Sequence, residues 1–188
     1  MTLVEQLAKR LSLTAVGAPP ADGIRRAAVA ALLHDTPERT LVLMMKRAER
    51  EGDPWSGHIS LPGGGFHANE DPDLLATSIR ETHEELGFLL DRAQLLGNLE
   101  PLGPRTSGPT PIEVTAFVFQ CSTPPEIVCG PEALAAFWLP LDAAVSGALD
   151  KPFTYPNSQM ILPSWDFEGH VIWGLTKRIL DDLVAAAG

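Results

Sequence analysis

A chain of 188 residues with 45% apolar content can bury a sizeable core, and residues 1–188 are expected to form a single domain. Its formal net charge of −10 argues against a nucleic-acid or anionic-membrane surface as partner. Cys121 and Cys129 are too few and too irregularly set for a disulfide framework or a zinc site, so both are expected to be reduced.

Residues 1–22 read as a leading helix and linker. Apolar residues recur at helical spacing over 3–13, and Pro19-Pro20-Ala21-Asp22-Gly23 makes a turn. The segment carries no signal-peptide apolar core, and no run of the chain approaches membrane-spanning length, which makes the cytoplasm the default location. Residues 24–33 then read as a buried strand and 41–46 as its neighbour, joined by the turn at 35–39. Residues 46–62 are loop-like until their last four positions. The glycines Gly63, Gly64 and Gly65 feed a helix for which Asp71 is a suitable N-cap, Pro72 the first residue and Gly87 a left-handed stop. Farther on, 94–102 and 112–121 read as strands, 104–111 as a rigid loop, 127–128 as a short extended piece and 142–149 as a short helix. Residues 151–170 are rich in aromatics and proline, with Tyr155, Trp165 and Phe167 near a hairpin, and a last helix runs through Ala187. Strands interleaved with helices imply an α/β sandwich.

On a helical wheel at about 100° per residue, Leu75, Ile79, Thr82 and Leu86 fall in one sector of roughly 60°, the stripe to be buried. Glu81, Glu84 and Glu85 share a face pointing away from it. Three like charges a turn apart repel, and they sit toward the negative end of the helix dipole. The plain reading of such a cluster is a solvated acidic face. Gathering charge against two penalties, behind a glycine loop whose backbone can approach a ligand closely, suits a hard divalent cation, Mg²⁺ or Mn²⁺.

The same residues resemble the Nudix box: Gly, five residues, Glu, seven residues, Arg-Glu, an apolar residue, any residue, Glu-Glu, any residue, Gly. Gly64 and Glu70 fit the first part, and Arg80-Glu81-Thr82-His83-Glu84-Glu85-Leu86-Gly87-Phe88 fits the second. Two departures stand out. Nine residues separate Glu70 from Arg80, so Asp71 or Asp73 is an alternative to Glu70 in the first acidic position, and Thr82 replaces an apolar residue. Thr77-Ser78-Ile79-Arg80-Glu81, the approach from Trp55 to Gly64 and His170-Val171-Ile172-Trp173-Gly174-Leu175-Thr176 are similar to runs of the coenzyme A diphosphatase-like subgroup.

The resemblance implies a Nudix fold, a mixed β-sheet sandwiched between α-helices. It implies a metal-dependent diphosphatase cleaving a nucleoside diphosphate linked to another moiety, coenzyme A or an acyl-CoA first, with ADP-ribose or a sugar nucleotide as the alternative. Glu81, Glu84, Glu85 and the carbonyl of Gly63 would hold the metal, with Arg80 orienting the carboxylates. Glu85 or Glu84 is the first choice of general base, with Glu132 and Glu113 as outside candidates. Arg47, Arg50 and the Gly64 backbone would meet the substrate's phosphates. A homodimer is the common assembly of the family. A second reading from another class is a non-catalytic Nudix-fold binding or regulatory module, against which the intact glutamate set counts.

Overall fold

The computed structural model describes residues 1–52, 55–103, 112–155 and 159–188. The loop expected at 104–111 lies outside the described residues. Two central strands dominate, β1 (Arg25–Asp35) and β2 (Thr40–Arg47), antiparallel with Leu33 opposite Val42. On the other side of β1 lies β6 (Ile112–Cys121), parallel to it over ten paired residues. Short strands β3 (Ile59–Ser60), β4 (Gly63–Gly65) and β5 (Leu95–Asn98), with β7 (Ala133–Pro140), complete a seven-stranded mixed sheet in which β3 and β7 pair with β2 and β4 pairs with β1.

Burial on both faces explains why the central strands read as continuous apolar runs rather than as alternations. Ala28, Ala30, Leu32, Leu43, Met45, Phe117 and Phe119 point to one face and pack under helix α2 (Leu74–Leu86). Ala27, Ala31, Leu33, Val42, Met44, Val114 and Val118 point to the other, where α1 (Leu3–Arg10) and α4 (Gly174–Ala187) lie. The sandwich of a mixed sheet between helices is the architecture expected from the sequence.

Several boundaries differ from that expectation. Helix α1 starts at a capping box formed by Thr2 and Glu5 and ends at Arg10, with Leu11 as its cap, where the chain turns toward Asn98, which accepts the Thr14 N–H at 2.7 Å. Helix α2 begins at Leu74 with Asp73 as N-cap, its carboxylate accepting the Ala76 N–H at 2.7 Å. Asp71 is therefore not the cap: it is drawn into a buried ion pair described below. Gly87, at φ 78°, does end the helix in the left-handed region. Residues 127–128 form no strand; Val128 N–H instead donates to the Leu86 carbonyl at 3.0 Å, closing the end of α2. The strand expected over 94–102 is confined to β5, followed by a single bridge from Leu102 to Val114. The short helix after β7, α3, is Leu141–Val145.

The aromatic segment forms two hairpins, β8 (Phe153–Thr154) with β9 (Ile161–Leu162), and β10 (Ser164–Phe167) with β11 (His170–Trp173). The latter turns on Glu168 and Gly169, both at positive φ, the conformation a tight two-residue hairpin requires. Cys121 and Cys129 are both free, and no helix among the described residues is long and apolar enough to cross a membrane.

Candidate functional site

The site is built where β4 passes over α2. Gly63, at φ 148°, is paired to Val29 so closely that an added Cβ would run into the Ala28 carbonyl oxygen and lie 2.5 Å from Val29 Cα. Gly64 faces the helix, and a Cβ there would stand 2.5 Å from the Glu81 carboxyl carbon. Two glycines are thus required by contact, one against strand and one against carboxylate.

The three glutamates do not share one solvated face. Glu84 is exposed, with 56% of its side chain accessible, whereas Glu81 is largely covered at 14%. Glu85 is buried, and its carboxylate accepts the Gly63 N–H at 2.8 Å. The burial of Glu85 has a simple origin: it borders the apolar stripe on the wheel, and β4 closes over that border. Burial chiefly raises the Glu85 carboxyl, to about 8, with the Gly63 N–H opposing and the Glu81 charge adding to the rise. Burial likewise pushes Glu81 up, opposed by its hydrogen bond from Arg80.

Arg80 organises the rest. Its Nε and Nη2 donate to the two carboxylate oxygens of Asp71, each at 2.9 Å, a bidentate pair. Nη1 donates to Glu81 at 2.8 Å and reaches both Glu84 oxygens at 3.4 Å, while Nη2 also meets the Gly65 carbonyl at 3.2 Å. Asp71, with 2% of its side chain accessible, is further held by the His67 N–H and the Thr77 hydroxyl. The Arg80 guanidinium holds its carboxyl down to about 2. Glu70 is exposed and reaches Arg80 Nε only at 3.8 Å, so of Glu70 and its alternatives Asp71 and Asp73 it is Asp71 that meets Arg80 through both oxygens. A signal was present: five residues separate Gly65 from Asp71, the box spacing shifted by one.

Arg47 is half-buried and its charge favours the ionised form of Glu85. Arg50 is exposed and pairs with Glu132 at 3.2 Å. Glu132 stands near enough that its charge raises both Glu81 and Glu85. Glu113 is drawn elsewhere, to Arg26 at 3.0 Å on the sheet. Among the aromatic residues, Trp165 is core, under the Lys177 ammonium at 4.7 Å, whereas Trp55 and Tyr155 are exposed.

As placed, no three His, Cys, Asp or Glu side chains among the described residues form a ready metal nest. The donor set nonetheless fits a hard cation. Glu85 is a buried carboxylate beside the Glu81 charge, opposed by the Gly63 N–H and the Arg47 charge, and the three glutamates and the Gly63 carbonyl all offer oxygen donors.

A mixed sheet under a loop and helix that gather carboxylates around an arginine defines a class of α/β proteins equipped to meet a polyanion through cations. The NUDIX domain pattern matches residues 24–161, and the chain belongs to this family. It is a hydrolase of the pyrophosphate-bond class. It is similar to the "Uncharacterized Nudix hydrolase NudL" of Salmonella paratyphi B, with 28% identity over 139 residues, 71% of this chain and 68% of the relative. Among solved structures it is similar to a MutT/nudix family protein from Enterococcus faecalis, with TM-score 0.59, 17% identity, and 97% of this chain and 68% of that one covered. It is also similar to a bifunctional NMN adenylyltransferase/ADP ribose pyrophosphatase from Francisella tularensis complexed with AMP and Mn, with TM-score 0.58, 22% identity, and 99% and 46% covered.

Proposed function

We propose that the chain hydrolyses the diphosphate bond of a nucleoside diphosphate linked to another moiety, with coenzyme A or an acyl-CoA as the favoured substrate and Mg²⁺ or Mn²⁺ as cofactor. The observation that carries this is the complete carboxylate set of one helix turn, Glu81, Glu84 and Glu85, standing against a glycine strand and braced by the Arg80–Asp71 pair.

Glu81, Glu84, Glu85 and the carbonyl of Gly63 are the residues proposed to hold the metal. A bound divalent cation supplies charge neutralisation to the diphosphate and lowers the pKa of water. Arg80 keeps Glu81 and Glu84 together, which without its guanidinium would repel, and Asp71 keeps Arg80 from turning to the substrate. Glu85 or Glu84 takes the proton of the attacking water, both carboxylates standing on the helix turn that would hold the metal. Gly64, whose missing side chain leaves room for the Glu81 carboxylate, would present its backbone to the substrate's phosphates, and Arg47, at the end of β2, would meet them with its charge. Arg50, engaged by Glu132 on the surface, meets phosphate by exchanging that pair.

The preference for coenzyme A rests on the similarity of the runs at 55–64, 77–81 and 170–176 to that subgroup. ADP-ribose or a sugar nucleotide is the alternative substrate, favoured by the fold likeness to a protein named as an ADP ribose pyrophosphatase. A Glu84→Gln, Glu85→Gln double variant tests the chemistry. It should keep the wild-type circular dichroism and lose at least a hundredfold in kcat; undiminished turnover would remove these residues from the mechanism.

A further inference from the structure

A pocket of about 350 Å³ opens beside β2 and β11, framed by Lys46, His58, Phe153, Tyr155, His170 and Trp173. Its volume is that of a small-ligand site. Trp173 is its centre, with the His58 ring edge-on at 5.1 Å, Tyr155 edge-on at 5.5 Å and Phe153 at 5.5 Å. His170 is fixed in the wall by stacking on Phe137 at 4.3 Å. Tyr155 remains 43% exposed, so its ring is not spent on core packing.

Lys46 adds what a packing defect would not contain. It is half-buried, forms no ion pair among the described residues, and no Asp or Glu lines the pocket with it. A partly desolvated ammonium among aromatic rings favours a ligand that brings an anion next to a planar ring. The chain also links the pocket to the carboxylate site. Lys46 adjoins Arg47, whose charge acts on Glu85, and the Arg47 N–H donates to the His58 carbonyl at 2.9 Å, from which the chain runs through β3 to Gly63.

We propose that this pocket takes the phosphorylated nucleoside half of the substrate, with the base against Trp173 and Tyr155 and a ribose phosphate at Lys46. The assignment rests on the diphosphatase reading above only in making the ligand part of the substrate. Calorimetric titration of the metal-free protein with adenosine 3′,5′-bisphosphate and with adenosine tests the pocket directly. The bisphosphate should bind at least tenfold more tightly than adenosine; Lys46→Gln should abolish that difference, and Tyr155→Ala should weaken both ligands at least fivefold. With coenzyme A and Mg²⁺, both variants should raise KM severalfold with little change in kcat. Bisphosphate binding that neither variant alters overturns the proposal, as does no binding at all. Turnover with KM unmoved by both variants also overturns it while leaving the hydrolase intact; Lys46-dependent binding in a protein that turns over nothing upholds the pocket and removes the diphosphatase reading.

Discussion

Asp71 holds Arg80 through both oxygens from a position closed to solvent, and this pair decides where two of the three glutamates point. Removing one partner of a buried ion pair leaves the other charge uncompensated, a cost of about 3 kcal/mol or more. Asp71→Asn should therefore lower stability in urea by about that amount and cut kcat at least tenfold, whereas Glu70→Gln, on the exposed side of the same guanidinium, should change either little. Because the folded-state carboxyl of Asp71 is held down to about 2 from 3.8, its contribution is present above pH 3.8 and lost as pH falls through 2, an acid limb worth ~2 kcal/mol. Glu85 has the opposite sign. Its folded-state carboxyl is raised from 4.5 to about 8, so the metal-free protein binds an extra proton when folded and loses stability as pH rises from 4.5 through 8. In EDTA the melting temperature should fall across that range, and Glu85→Gln should flatten the decline; an equal slope in both proteins would show that Glu85 is not the group responsible.

At the scale of elements, β4 and α2 are mutually dependent. Gly63 is pressed on strand β1, so Gly63→Ala must displace backbone and should destabilise the fold by several kcal/mol. Gly64 is pressed on the Glu81 carboxylate, the end of a flexible side chain, so Gly64→Ala should leave stability within about 1 kcal/mol and instead weaken Mg²⁺ binding tenfold or more. Much of this pair of elements was legible beforehand: the stripe of Leu75, Thr82 and Leu86 is buried as its periodicity requires, and Gly87 ends the helix. The start of α2 was not, because Asp71, Pro72 and Asp73 all satisfy local capping preferences and only the tertiary pull of Arg80 on Asp71 separates them. The burial of Glu85 was hidden for a related reason. A wheel assigns faces to one helix but does not see the glycine strand laid across its edge. Lys46 and Trp173 were seen as strand and closing-run residues, since their convergence depends on β11, far along the chain, meeting β3, which pairs with β2.

Across the whole molecule, β1 was readable as a buried apolar run and β6 as an alternating stretch rich in β-branched and aromatic residues, and the net charge of −10 is consistent with a site that meets an anionic substrate through cations rather than through a basic surface. A ligand that binds only the folded state stabilises it by RT ln(1 + [L]/Kd), so Mg²⁺ at about tenfold above its Kd should raise the melting temperature by roughly 3–6 °C. The Glu84→Gln, Glu85→Gln variant should show no such rise. The most direct test of the account is product analysis by chromatography after incubation of the protein with coenzyme A, ADP-ribose and a sugar nucleotide, each with Mg²⁺ and with Mn²⁺. The account predicts metal-dependent cleavage at the diphosphate, fastest for coenzyme A and giving 4′-phosphopantetheine and adenosine 3′,5′-bisphosphate. Faster cleavage of ADP-ribose would contradict the substrate assignment, and absence of cleavage of all three with both metals would contradict the central claim that this carboxylate set assembles a working diphosphatase.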